Sequence, residues 1–299
     1  MKTSIFPYLA LFFGVFALST SAIFVKLANA PSAITAFYRL FFATLILLPF
    51  LITNKKFCRE LLCLSLKQWG FGLLSGLFLA LHYVLWFESL RYTSVASSTV
   101  IVTLQPLFSM AGGYFLFKER FSRGAIIGFI IAIAGSFIIG WGDFQISGRA
   151  LFGDILSFIA AGIIAGYFLI GQSLRKELSL IPYSVIGYGS SAVFLAIYAL
   201  TQNQSFLYYS ESTWWSFFGL AFVATILGQT IFNWLLKWLS SSVITMSILG
   251  ETIGTCILAY FILDEVITLQ QGIGILLILF GLGLFLVKQR QEKTKTRSA

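Results

Sequence analysis

The chain has 299 residues, 58% of them hydrophobic and 10% charged, with a formal net charge of +9. Soluble domains carry roughly 25% charged residues, so this composition excludes a soluble enzyme and describes a polytopic membrane protein. Apolar runs of about 20 residues between short polar breaks predict bilayer-crossing helices, and the lack of period-two alternation excludes a strand barrel.

Ten spans are predicted. The first begins near Phe6 and is interrupted at mid-depth by Ser19, Thr20 and Ser21, which can line a cavity or bond their own backbone. Lys2 precedes it, but Lys26 and Pro31 follow in place of a small-residue cleavage site, so it reads as a membrane helix rather than a signal peptide. The second span begins near Ala33, behind Pro31, and carries Arg39 about 10 Å below the outer surface. Arg39 can receive a substrate carboxylate or pair with Glu88, and the pair is the favoured reading. The third, from near Trp69, places His82 and Trp86 one helical turn apart on a shared face. His82 is the only histidine, suited to a proton relay or a polar substrate contact.

The fourth span begins near Ser94 and holds Gln105 at its centre; the fifth begins near Arg123. The sixth, from near Leu151, contributes Tyr167 as a candidate lining residue, and the seventh begins near Tyr183 behind Pro182. The eighth, from near Thr213, carries Gln229 and Asn233 four residues apart, amides that can bind substrate or tie helices together. Trp86 and Trp234 lie inside spans and could wall a cavity, whereas the other tryptophans sit near span ends. The ninth span begins near Ser240 and holds Glu251 about 11 residues in, roughly 16 Å, close to the bilayer midplane. The tenth begins near Thr268. Glycine pairs Gly72/Gly76, Gly124/Gly128, Gly162/Gly166 and Gly250/Gly254 have the spacing that permits close helix approach.

With the N-terminus inside, only Lys26, Arg91 and Arg149 of the 20 lysines and arginines fall in outer segments, and Arg39 within a span. The remainder are cytoplasmic, which places both termini inside and makes the basicity topological rather than a nucleic-acid-binding feature. Cys58 and Cys63 fall in a cytoplasmic loop and Cys256 in a span, so no disulfide is expected.

"YFLFKERFSRGAIIGF" from Tyr114 is matched by "YFILDEVITLQQGIGI" from Tyr260, an offset of 146 residues that also aligns Glu119 with Glu265 and Gln105 with Glu251. Spans three to five repeat as spans eight to ten; the first and sixth fit more weakly, and the second and seventh need about five extra residues. Five spans per copy invert the second copy, so "KERFSR" is cytoplasmic and "DEVI" is external. The reading is two inverted five-helix repeats, residues 1–145 and 146–288, and a basic cytoplasmic tail, 289–299. That is the construction of many secondary transporters, with a site at the repeat interface near the midplane.

"LRYTSVASSTVIVTLQPLF", the "KERFS" turn and "WLSSSVITMSILGETIG…LDE" resemble the EamA-like ten-helix permeases of the drug/metabolite transporter superfamily. "LHYVLWFESL" and "ILGQTIFNWLLK" look like one bacterial branch, in which a proline often follows "GE" where this chain has Thr252. The resemblance implies a carrier in the cell membrane that exports amino acids or related metabolites. A lipid or lipid-carrier flippase, a structural membrane protein and a channel-like facilitator are the alternatives.

An ionisable group at mid-depth is costly unless it faces a cavity or a partner. The candidate substrate-binding residues are therefore Glu251, Gln105, His82, Trp86, Gln229, Asn233, Tyr167, Ser19 and Arg39, with Glu251 and His82 as proton-coupling candidates. Glu119 and Glu265 are expected to fix tight turns by bonding free N–H groups of the following helices. No HExxH, GxSxG or Walker pattern occurs, so no catalysis, metal or cofactor is expected. The expected partners are a small-molecule substrate and the lipid bilayer, in a monomer or homodimer.

Overall fold

The computed structural model describes residues 6–93, 95–140, 148–263 and 268–298, and every regular element among them is helical. Helices α1 (Phe6–Leu27) and α2 (Ser32–Thr53) are followed by a short surface helix, α3 (Lys55–Leu62), and by α4 (Leu66–Ser89). An interrupted pair, α5 (Val95–Val102) and α6 (Gln105–Phe117), leads to α7 (Arg123–Gly140), α8 (Gly148–Leu174) and α9 (Leu180–Thr201). Then α10 (Glu211–Gly219) continues through a π-helical stretch, Leu220–Gln229, into α11 (Thr230–Leu235). A second interrupted pair, α12 (Ser241–Ile248) and α13 (Gly250–Leu263), precedes α14 (Leu269–Ser298).

Nine segments among the described residues are long and apolar enough to cross a membrane, and α7 is a shorter apolar helix lying along α14. Their starts fall within three residues of those predicted from sequence. Helix α3 falls where the sequence suggested a loop. Asn54 caps it by accepting from Lys56 N at 3.0 Å.

The 146-residue offset reappears in the helix boundaries: α5 maps onto α12 end to end, and α6 starts one residue beyond the start of α13 after shifting. The C-terminal ends of α1 and α4 border one cavity of about 630 Å³, through Val25 and Lys26 and through Leu90 and Arg91. The ends of their counterparts α8 and α11 border a cleft of about 490 Å³, through Arg175 and Lys237. Gln68, at the start of α4, bonds Glu177 beside this cleft (2.6 Å), so the two openings lie at opposite ends of α4.

Both interrupted helices break at the same repeat position. In the first, Pro106 lacks an N–H, and Leu104 and Leu107 bond carbonyls three residues back. In the second, Thr252 stands at the corresponding place, yet Leu249 and Thr252 also make three-residue bonds, each at 3.3 Å. Gly250, a weak helix former, lies between these two bonds.

Close glycine contacts set the packing of the outer pair. A Cβ on Gly128 of α7 would lie 2.6 Å from the Gly281 carbonyl oxygen and 2.7 Å from the Phe285 nitrogen of α14. Gly72 and Gly76 likewise let α4 approach α9, where a Gly76 Cβ would be 2.8 Å from the Gly187 oxygen.

Glu119 departs from its expected role. Its carboxylate accepts from Gln172 Nε2 (3.1 Å) on α8 and Ser242 Oγ (2.9 Å) on α12, not from the next helix. Ser122, immediately before α7, takes the capping bond from Ala125 N (3.2 Å). Lys118, with φ of 53°, turns the chain. Glu265 lies outside the described residues.

Gly128→Val is expected to force α7 and α14 apart at backbone atoms that cannot yield, costing about 1–3 kcal/mol and lowering the melting temperature in detergent. Gly283→Val is the control, because nothing lies within 4 Å of its Cβ position. Equal melting of the two variants would contradict this packing.

Candidate functional site

A small cavity of about 30 Å³ lies where α1, α2, α4, the two interrupted pairs, α8 and the π-helical stretch converge. Its apolar wall includes Leu18, Val102, Ile164, Phe168 and Ile248, and its polar and aromatic wall comprises Arg39, His82, Tyr83, Trp86, Gln105, Gln229 and Glu251. Four pairs in this lining stand 146 positions apart: Leu18 with Ile164, Tyr83 with Gln229, Val102 with Ile248, and Gln105 with Glu251. The cavity thus sits on the symmetry element that relates the two copies.

Arg39 is fully buried and its guanidinium is held on several sides. Nε donates to Thr225 Oγ1 (2.9 Å), Nη1 donates to Ser21 Oγ (2.7 Å), and Cζ lies 4.4 Å from the centroid of the Tyr83 ring. Thr225 belongs to the π-helical stretch and donates its own proton to the Leu220 carbonyl (2.9 Å), which leaves a lone pair for Arg39. Among the described residues Arg39 Nη2 has no hydrogen-bond partner. Three other cavity residues also carry buried atoms without one: Trp86 Nε1, Gln105 Oε1 and Gln229 Nε2.

Glu251 is buried in the first turn of α13, and Gln105 opens α6. Two helix N-termini therefore meet the cavity, where the helix dipole favours negative charge. Arg39 and Glu251 do not form an ion pair with each other. Arg91–Glu88, at 3.1 Å, is the pair found among the described residues. His82 donates from Nδ1 to the Ala160 carbonyl (3.1 Å) and stacks on Trp86 with centroids 5.8 Å apart.

Of the residues singled out by sequence, Glu251, Gln105, His82, Trp86, Gln229 and Arg39 line the cavity, and Ser19, Tyr167 and Asn233 do not. The expected Arg39–Glu88 pair is corrected: Glu88 binds Arg91 three residues on, and Arg39 turns inward to hydroxyls of α1 and the π-helical stretch. Ser19 bonds Val15 and Glu251 carbonyls, and so positions α13 rather than facing the cavity. Tyr167 donates to Asn233 Oδ1 (2.9 Å) and Asn233 Nδ2 donates to Tyr188 (3.1 Å), tying α8, α9 and α11. Gln229, at the end of the π-helical stretch, lines the cavity, and Asn233, one α-helical turn further along in α11, reaches Tyr167 and Tyr188 instead. Trp234 packs edge-on against Phe6 and Trp238, away from the cavity. Tyr83 and Thr225 were missed, and Ser21, marked as a polar residue at mid-depth, proves to hold Arg39. Tyr83 carried a usable signal as the repeat counterpart of Gln229. Among the described residues no cluster of three potential metal ligands occurs.

The model of the EamA-like transporter family matches residues 5–141 and again 151–287. The chain belongs to this family. A probable amino-acid metabolite efflux pump of Salmonella typhimurium is 30% identical over 196 residues, 62% of this chain and 65% of that protein. The uncharacterized transporter YwfM of Bacillus subtilis is 23% identical over 77% of this chain and 78% of its own length. One crystal structure, described only as that of a protein, superposes with a TM-score of 0.77 at 17% identity over 96% of this chain and 98% of the other, which shows the fold alone. The EamA-like chain is thus a multi-pass membrane transporter with two family repeats around a central polar cavity.

Asn233→Ala removes the partner of two buried tyrosines and should cost about 1–3 kcal/mol. Gln229→Ala, which deletes an Nε2 with no protein partner, should cost clearly less. Melting of both variants in detergent gives the comparison, and a reversed order would contradict the division between tie and cavity wall.

Proposed function

We propose that this chain is a ten-span secondary transporter of zwitterionic amino acids or close derivatives, exporting them across the cytoplasmic membrane. In this reading residues 1–145 and 146–288 are inverted five-helix halves, both termini and the 289–299 tail are cytoplasmic, and the halves rock around the cavity. Support for the inversion comes from repeat counterparts that end at opposite openings, α1 and α4 at one and α8 and α11 at the other. The charge distribution supports the orientation. The protein has no enzymatic role in this reading, and the lipid bilayer is its solvent.

The observation that carries the substrate class is one cavity holding an immobilised guanidinium, with Nη2 unpartnered, and a carboxylate with which it does not pair. An α-carboxylate would take Arg39 Nη2, with Trp86 Nε1 as a second donor; an α-ammonium would take Glu251, with Gln105 Oε1 beside it. Arg39 is suited to this by its planar fork of donors, and its three-sided support preorganises it. At about 30 Å³ the cavity holds roughly one water, far below the roughly 300–1,000 Å³ of ligand pockets. Binding therefore requires the halves to separate, as alternating access does. Without substrate, Glu251 can take a proton, which would couple flux to a pH gradient. His82, bonded to the Ala160 carbonyl, fits better as a wall with Trp86 than as a relay.

The relative named as a probable amino-acid metabolite efflux pump is consistent with this class. Exchange of labelled amino acids in proteoliposomes tests it. Arg39→Gln and Glu251→Gln should each weaken apparent affinity at least about tenfold, the value of a charge-assisted hydrogen bond. Analogues lacking the carboxylate should be insensitive to Arg39→Gln, and those lacking the amine insensitive to Glu251→Gln. Wild-type exchange in both variants would overturn the site. Exchange that persists in Glu251→Gln but no longer follows an imposed pH gradient would assign Glu251 to coupling instead.

A further inference from the structure

The cleft of about 490 Å³ at the start of α4 is separate from the central cavity, and the reading above uses it only to orient the two halves. Three connections bring five cations to it: Lys56 and Arg59 from α3, Arg175 and Lys176 from the α8–α9 turn, and Lys237 from the end of α11. Among the described residues none of the five forms an ion pair; the pair found there is Arg91–Glu88. Two carboxylates share the cleft, but both accept from the protein. Glu177 accepts from Gln68 Nε2 (2.6 Å), and Glu60 accepts from the Ser179 backbone N–H.

A solvated cytoplasmic face would account for exposed lysines here. It does not account for Arg175, which is 3% exposed and borders the cleft with no carboxylate in contact. Its Nε donates to the Asn233 carbonyl (2.9 Å) and its Nη1 to the Leu178 carbonyl, so neutral acceptors hold a nearly buried charge in place. Burial pulls this guanidinium below its ordinary value, and Tyr183 and Glu60 act in the opposite sense. Beside the cleft, Leu62 and Leu66 point outward at 86% and 92% exposure, on either side of the turn from α3 into α4. These leucines stand at the level where the spans end, which is the depth of lipid headgroups and the first acyl carbons.

We infer that this cleft binds a phosphate headgroup, with Arg59, Lys56 and Arg175 around the phosphate of an anionic phospholipid and Leu62 and Leu66 against its acyl chains. Arg175 supplies the fixed donor at the back of the site, and the flexible cations of α3 close over the ligand. Because α3 links α2, which bears Arg39, to α4, which bears His82 and Trp86, an occupied cleft would brace two walls of the cavity. The inference requires a membrane-spanning chain and no particular transport substrate.

The test uses the full-length protein in a neutral detergent, with phosphatidylglycerol or phosphatidylcholine added and the melting temperature followed. Phosphatidylglycerol should raise it more than phosphatidylcholine does. The variant Lys56→Gln/Arg59→Gln should need roughly thirtyfold more phosphatidylglycerol for the same shift, since each basic residue at a membrane surface contributes about a fivefold factor. Lys55→Gln/Lys67→Gln removes the same charge from neighbouring positions that do not line the cleft and should behave as wild type. A further arm adds sn-glycerol 3-phosphate, the headgroup without acyl chains. If it reproduces the shift, and the Lys56→Gln/Arg59→Gln variant weakens that shift too, the site is confirmed and its source is a soluble phosphate; if phosphatidylglycerol alone acts, the source is lipid. No preference for phosphatidylglycerol or glycerol phosphate over phosphatidylcholine, or equal weakening in the two double variants, would overturn the inference.

Discussion

The buried guanidinium of Arg39 is the constraint around which the centre of this molecule is arranged. A charge inside a bilayer protein is tolerated when it faces a cavity or is dressed with partners, and here the dressing comes from three other helices. Ser21 reaches from α1, Thr225 from the π-helical stretch and the Tyr83 ring from α4. Each partner fixes the rotation of its helix relative to α2. The π-helical turn presents Thr225 to this arrangement: its hydroxyl donates to the Leu220 carbonyl while its oxygen accepts from Arg39. A wider turn is an unfavourable helical form, and the contact with a buried cation helps to offset it.

Symmetry supplies the second half of the architecture, and its breaking supplies the chemistry. The apolar pairs in the cavity, Leu18 with Ile164 and Val102 with Ile248, remain alike between copies. The polar ones have diverged: Gln105 faces Glu251 across the pseudosymmetry, and Tyr83 faces Gln229. Arg39, His82 and Trp86 all come from the first copy. Backbone geometry stayed symmetric while side chains did not, as the two helix breaks show. The first carries Pro106, and the second keeps the same three-residue bonds with Thr252 in its place and Gly250 between them.

Span positions, the repeat and the mid-depth polar residues were legible in the sequence, because hydrocarbon makes a lone Glu251 or Gln105 conspicuous. Partner choice was less legible. Glu88 and Arg39 sit in neighbouring spans at comparable predicted depth, but sequence carries no information on helix rotation, and the nearest cation to Glu88 proved to be Arg91 on its own chain turn. The stretch Leu220–Gln229 has the composition of any apolar span, so nothing marked it as π-helical. Helix α3 was hidden because its cations read as a cytoplasmic loop. Tyr83 could have been found by carrying the offset from Gln229 back to the first copy, a step that needs only the repeat.

A site for a dipolar ligand has a problem that a site for a simple ion does not. Its own cation and anion attract each other, and a direct pair would have to be broken each time a substrate bound. In this protein the hydroxyls of Ser21 and Thr225 and the ring of Tyr83 hold Arg39 without neutralising it, while Glu251 rests at the N-terminal end of α13, where the helix dipole favours its charge. Arg39 is therefore supported by neutral partners that a substrate need not displace. That division is what allows an amino acid, in the function proposed here, to add its two charges to a frame already built. It also explains why the cavity can close to about 30 Å³ without the charges collapsing together. The supports of Arg39 come from α1, α4 and the π-helical stretch, and in the proposed function its Nη2 is the donor left for the ligand.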